Sequence, residues 1–248
     1  MAAEIVLQNP EVNEQAPAFS GIDSYGNTIS LSDFIGQPVI LEWTNHECPY
    51  VAKHYDENNM QAVQEQAKKE GFIWLSIISS TPWDQGHVKP SKANELTESR
   101  SAYPSHVLLD ESGDIGMKYG AKTTPHMYMI DNNGVLRYKG AIDDVGKGMQ
   151  FFSASLKDAI NYVAIQLNDV KDNRQLEISS TVAYGCSVKY NYDWKMYLFH
   201  SLSGKLLLSI WWPRIKWLNV GLMGSTLGRM SLSLFCKLHR LHAVTTFS

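Results

Sequence analysis

The chain is 248 residues long, 44% hydrophobic and 19% charged, with a formal net charge of -3. That is the composition of a soluble globular protein, and its sign argues against nucleic acid as the main partner. Three cysteines, at positions 48, 186 and 236, are too few and too widely spaced for a disulfide framework.

In chain order, the opening MAAEIVLQNPEVNEQ has neither the basic n-region nor the long apolar core of a secretory leader, which points to a cytoplasmic protein. It reads as an extension over residues 1–15. GIDSYGNTISLSDF follows as a short hairpin with Gly26 and Asn27 at the bend. PVILEWT, residues 38–44, is an apolar, partly β-branched run that predicts a buried strand. Good helix formers fill Tyr50 to Glu70 and Gly71 supplies a stop, so one helix is expected there. FIWLSIIS, residues 72–79, predicts a second buried strand, and STPWDQGHVKP a loop. SKANELTESRSA predicts a helix capped by Ser91. SHVLLD is a third strand and DESGDIGMKYG a turn with a short helix. HMYMID and GVLRYKG flank Asn132, Asn133 and Gly134, a hairpin signal. Phe151, Phe152, Leu156, Ile160, Val163 and Leu167 recur at helical spacing and predict a final helix from about Gly148 to Leu167. The order β-α-β-α-β, then β-β-α, implies parallel strands with crossover helices and one antiparallel hairpin, an α/β sheet between helices.

Cys48 sits in LEWTNHECPYVAKHY, where an expected strand runs into an expected helix. Free N–H groups and the positive end of the helix dipole favour thiolate there, and Pro49 suits the first helical turn. The residues alone leave three readings open: a reactive thiol, a metal ligand with His46 and His54, or a small side chain packed at a helix start. His46 is a candidate to favour the thiolate by charge or hydrogen bonding, while Glu47 works the other way. In KTTPHMYMID, Thr124-Pro125 leads directly into a strand, a place where an X-Pro bond can be cis. Cys186, in AYGCSVKY with Lys189 nearby, reads either as a surface cysteine or as a redox partner.

Taken together, APAFSGIDSYGNTISLSDFIGQPVILEWTNHECPYV, TTPHMYMID and GVLRYKGAIDD resemble the thioredoxin superfamily. Within it they are most similar to the redoxin branch of alkyl-hydroperoxide-reductase/thiol-specific-antioxidant and peroxiredoxin-like proteins. The subgroup pattern is NHxCPxVxKHY with a C-terminal GCSVKY, and the resemblance covers residues 16–190. It implies a thioredoxin-like three-layer α/β/α sandwich with a mixed central sheet and an N-terminal hairpin. It also implies a thiol-dependent oxidoreductase of the antioxidant type, acting on disulfides or peroxides. By this resemblance Cys48 is the nucleophile and Pro125 the cis-proline opposite it. Thr124 corresponds to the residue whose backbone meets the substrate, and Cys186 to a second, resolving cysteine. No metal or organic cofactor is called for, and electrons would come from a thioredoxin- or glutathione-like thiol reductant. The alternative is a non-catalytic thioredoxin-fold module that binds a partner protein through the same cis-proline surface. The chain departs from two relatives' patterns. Val51 stands where C-x-x-C has its second cysteine, so no local disulfide can form. Asn45 and Leu41 stand where P-x-x-x-T-x-x-C has threonine and proline. The second cysteine of copper-handling relatives is absent as well, so no metal is expected.

Residues 191–248 are of another kind. They carry 7 basic side chains, one acid and four tryptophans (Trp194, Trp211, Trp212, Trp217), against 24 acidic and 15 basic side chains before them. Pro213, Arg214, Lys216 and Arg229 interrupt the apolar stretch, so a membrane-spanning helix is not expected. The segment reads as an atypical extension outside the fold, and Cys236 has no assigned role.

Overall fold

The computed structural model describes residues 9–146 and 148–190. The readings made for the tail, Cys236 included, lie outside the described residues. Among those described, no helix is long and apolar enough to cross a membrane.

The chain opens with the hairpin β1 (Ser20–Ile22) and β2 (Thr28–Ser30). Its bend is held by the Asp23 carboxyl, which accepts from the N–H groups of Tyr25 and Asn27, and Gly26 takes a φ of 86° there. A 3-10 turn, Leu31–Phe34, leads into β3 (Val39–Trp43). Then come α1 (Pro49–Asp56), α2 (Asn59–Lys69), β4 (Ile73–Ile78), α3 (Pro90–Ser99) and β5 (His106–Leu109). The second half contains α4 (Asp114–Tyr119), the two-residue β6 (Thr123–Thr124), β7 (His126–Ile130) and β8 (Leu136–Gly140). It ends with α5 (Met149–Ser153), α6 (Tyr162–Lys171) and the short β9 (Cys186–Ser187).

Five strands form the central sheet in the order β5-β4-β3-β7-β8, with β3, β4 and β5 parallel and β7 and β8 antiparallel. Alternation along β3 explains the two layers around it. Ile40 enters a core with Val51, Met60, Val63 and Val163 under the helices α1, α2 and α6. Val39, Leu41 and Trp43 face the other way, onto Phe19, Ile29, Ile115 and Tyr119 of the hairpin and α4. The expected mixed-sheet sandwich with an N-terminal hairpin is therefore the fold of the chain.

Three expected elements differ. The helix expected over residues 50–70 is two helices, because Asn58 adopts a left-handed conformation with φ 58°. Asparagine is among the few residues that tolerate that region. The break also lets the Gln61 side chain donate to the carbonyl of Tyr55, closing the end of α1. The next helix starts at Pro90 with Lys89 before it, so proline at the first position, not Ser91, sets its start. The long helix expected from 148 to 167 is α5, a 3-10 turn at Leu156–Asp158, and α6. Asn161 caps α6 by accepting from Val163 and Ala164, and Phe152 and Ile160 are left exposed.

Candidate active site

The pleat of β3 ends at Trp43, and the four-residue turn after it delivers Cys48 to the start of α1. Cys48 occupies the N-cap position with Pro49 behind it, and its carbonyl already accepts from Ala52. Asn45 builds the turn: its side-chain oxygen accepts from the Glu47 N–H at 2.9 Å and its amide donates to the Gln85 carbonyl. Loop 84–87 reciprocates, with the Gly86 N–H donating to the Glu47 carboxyl at 2.8 Å. A side chain at Gly86 would lie 2.4 Å from Asn45, so only glycine lets the two loops close. Asn45, at the position where peroxidase-type relatives carry threonine, is thus engaged in shaping the loop.

Across from Cys48 the Thr124-Pro125 bond is cis. The Cys48 thiol donates to the Thr124 carbonyl at 3.1 Å, although the two are 76 positions apart in the chain. The Thr124 hydroxyl is buried beside it without a hydrogen-bond partner. Cys186 completes the group. It pairs with Thr124 in the antiparallel β6–β9 ladder, which sets it beside the carbonyl that accepts the Cys48 thiol. Burial, and then the hydrogen bond and charge of Cys48, push the Cys186 thiol up to about 12 against the pull of Lys189. At neutral pH Cys186 is therefore a protonated thiol. Cys48 has no solvent exposure at all. Both cysteines are free.

The segment that carries Cys186 is a strap, residues 179–190, laid across the sheet end. Its first part runs beside β8, where Thr181 donates its N–H to Lys139 and accepts from the Ala141 N–H. Its last residue, Tyr190, donates its hydroxyl to the Ala121 carbonyl at 2.6 Å. Between them Tyr184 enters the core under α1. The Tyr184 hydroxyl donates to Asp143 Oδ1 at 2.5 Å and lies 3.2 Å from His54 Nε2. Asn59 contacts the other ring nitrogen, Nδ1, at 2.7 Å, so Asn59 is the donor there and Nε2–H of His54 points to Tyr184. Two motifs read separately in the sequence, KHY and YGC, meet in this knot.

Burial lowers the His54 pKa to about 3, and burial lowers His126, whose ring accepts from the Lys122 N–H, to about 3 as well. Both rings are neutral in the folded chain but take up protons below about pH 6.5 once it unfolds. Between that value and the folded one the unfolded state binds more protons, so stability falls as pH falls. Asp110 and Asp143, raised by burial, act in the opposite sense from the ordinary carboxylate range upward, and the two histidines are expected to outweigh them between about pH 5.5 and 7. The urea midpoint is expected to be lower at about pH 5.5 than at about pH 7. A midpoint that stays level or rises over that interval would show that the two histidines are not held neutral.

Of the other candidates, His46 is turned to a cavity of about 40 Å³ that it lines with Thr44, Tyr55 and Arg100. Burial lowers its pKa, and its charged neighbours are Glu47, Arg100 and Lys92. A neutral ring in that place does not supply the charge expected of it toward Cys48. His46 and His54 have separate surroundings, and no group of three acidic, histidine or cysteine side chains suited to a metal occurs among the described residues. Tyr184, Asp143 and Gly185 were not singled out in the sequence. Only the tyrosine and glycine directly before Cys186 gave a local sign.

The arrangement defines a thioredoxin-like protein with one cysteine at the first helix, a cis-proline facing it, and a second cysteine brought in from the C-terminal side. The AhpC/TSA family matches residues 12–139, and the chain belongs to that family. It is 27% identical over 140 residues to the methylamine utilization protein MauD of Paracoccus versutus, a match covering 56% of this chain and 64% of that protein. The chain thus spans less than two thirds of that relative's length. Two solved structures share the fold at a TM-score of 0.61. One is a hypothetical protein of Sinorhizobium meliloti 1021, 18% identical, covering 75% of this chain and 97% of its own. The other is an uncharacterized conserved protein of Geobacillus kaustophilus, 20% identical, covering 73% and 93%.

Proposed function

We propose that the protein is a thiol-dependent oxidoreductase in which Cys48 is the nucleophile and Cys186 the resolving thiol. The observation that carries this reading is the Thr124–Cys186 ladder pair, which brings Cys186 to the same residue whose carbonyl accepts the Cys48 thiol. Cys48 holds the N-cap position of α1, the place in the fold that suits a nucleophilic sulfur, and Cys186 lies on the strap, so the first attack is assigned to Cys48. With a hydroperoxide, the Cys48 sulfur takes the outer oxygen and the O–O bond breaks. Cys48 becomes a sulfenic acid and an alcohol leaves with the thiol proton. Cys186 then attacks that sulfur, water departs, and a Cys48–Cys186 disulfide remains. With a disulfide as oxidant, the two steps release two thiols instead. An external thiol reductant, of thioredoxin or glutathione type, returns two electrons and two protons. The competing reading, a non-catalytic module binding through the cis-proline surface, is disfavoured because β9 already lies on that surface.

The test is peptide mapping of the full chain after mild oxidation. A peptide pair joined through Cys48 and Cys186 is the expected product. Recovery of both cysteines as separately alkylated thiols under conditions that oxidise a free dithiol would refute the two-cysteine mechanism.

A further inference from the structure

An extended peptide reaches a buried thiol by adding itself to a strand edge. Main-chain bonds hold it, and register decides which of its side chains meets the sulfur. Beside Cys48 that edge is β6, whose Thr124 carbonyl accepts the thiol bond. The edge is taken. Thr123 pairs with Ser187, Thr124 pairs with Cys186, and the Val188 N–H donates to the Lys122 carbonyl at 3.1 Å. Cys186 stands at the register position where a docked peptide would present the cysteine under attack. Gly185 measures how closely the strap is pressed down. Its φ is +137°, and a Cβ there would lie 2.0 Å from the Thr124 carbonyl oxygen.

We infer that residues 184–188 are a built-in occupant of the peptide-binding edge, and that the oxidised substrate of Cys48 is a low-molecular-weight hydroperoxide or disulfide, not a disulfide within an extended polypeptide. The inference rests on the two-cysteine reading above. A small oxidant approaches from the side of Cys186, which is partly exposed, and needs no register on the β6 edge. For a polypeptide, the β6–β9 ladder has to open and Tyr184 has to leave its bonds to Asp143 and His54. A small oxidant also finds a donor for its departing atom in the unpartnered Thr124 hydroxyl, whose residue is 3% exposed.

The experiment uses the reduced full chain in single turnover with hydrogen peroxide, with 2-hydroxyethyl disulfide, and with a linear peptide joined by a disulfide to its own copy. Each rate is divided by the rate of the same oxidant with free dithiothreitol. At least one small oxidant should exceed the peptide by roughly tenfold or more in this ratio, as expected when the peptide waits on local opening. The faster small oxidant assigns the class, hydroperoxide or disulfide, and either assignment supports the inference. Gly185→Ala, which forces the strap off the Thr124 carbonyl, should raise the peptide's ratio by about the same factor. Equal ratios for peptide and small oxidants in the unaltered chain overturn the inference, whether or not Gly185→Ala folds. The Cys48–Cys186 bridge is scored in the same samples. If no oxidant produces it, the two-cysteine reading fails and this inference falls with it. If all three produce it at equal normalised rates, that reading stands and only the small-substrate inference is lost.

Discussion

Cys48→Ser is expected to bring oxidant consumption down to the level of buffer with reductant, a loss of roughly a thousandfold or more, as is usual when a nucleophile is removed. Serine fits the site and can keep a hydrogen bond to the Thr124 carbonyl, so the fold is preserved while the ionisable sulfur is gone. Cys186→Ser gives a different pattern. The first oxidising equivalent is still consumed, because that step needs only Cys48. Turnover then stops at a sulfenic acid or mixed disulfide unless the external thiol resolves it directly. Intact mass after one equivalent of oxidant distinguishes the three proteins: bridged for the natural chain, an adduct on Cys48 for Cys186→Ser, and unmodified for Cys48→Ser. Sustained turnover by Cys48→Ser would move the chemistry to another residue. A Cys186→Ser chain indistinguishable from the natural one in both mass and rate would remove the resolving role and leave a one-cysteine mechanism.

What could be read from the sequence follows the range of the forces involved. Cys48-Pro49, Thr124-Pro125 and the Asn133-Gly134 turn carry their signals within a few residues, and each lies where expected in the structure. The helix breaks were not legible. Asn58 lies in the DENN run of residues 56–59, a weak local break within a longer stretch of helix formers, and the docking of Gln61 and Glu57 on the distant backbone of Arg100 and Leu156 accompanies its left-handed conformation. The strap was less legible still. A two-residue ladder has no periodicity to detect, and the reason for Gly185 is a carbonyl 61 positions earlier. His54 shows the same limit from the other side. Beside Cys48 in the sequence it invites a metal reading, yet in space it is a neutral donor to Tyr184, a residue 130 positions away. The resemblance assigned the two cysteines and the cis-proline, and the structure adds the parts that hold them together.

Glu42 is a further residue without a local sign, inside a run of apolar residues, and its replacement should be strongly destabilising. It is fully buried one residue before the end of β3, on the helix side of the sheet. Its Oε2 accepts from Trp74 Nε1 and Ser76 Oγ, both at 2.9 Å, and from Gln64 at 3.3 Å, while Tyr55 reaches Oε1 at 3.4 Å. In Glu42→Leu the Gln64 amide still donates to the Tyr55 hydroxyl at 3.3 Å, and the Tyr55 proton loses only its long 3.4 Å contact to Oε1. Trp74 and Ser76 cannot be satisfied in this way. Two orphaned buried donors at ~1–3 kcal/mol each, partly offset by the better burial of leucine, give an expected loss of about 3 kcal/mol. For a domain of this size that is a fall in Tm of roughly 6–12 °C. The control removes the donors too. In the triple variant Glu42→Leu, Trp74→Phe, Ser76→Ala the polar groups disappear together, so it should lose less than the sum of its parts, a non-additivity of about 1–3 kcal/mol. Calorimetry of the single and triple variants decides it. If Glu42→Leu melts with the natural chain, the donors find other partners and the carboxyl is not what fixes them. The consequence for the site is direct, because Tyr55 lies in the last turn of the helix that begins at Cys48. Loosening the Glu42 cluster well below Tm should therefore speed alkylation of Cys48, which in the natural chain is wholly shielded from solvent.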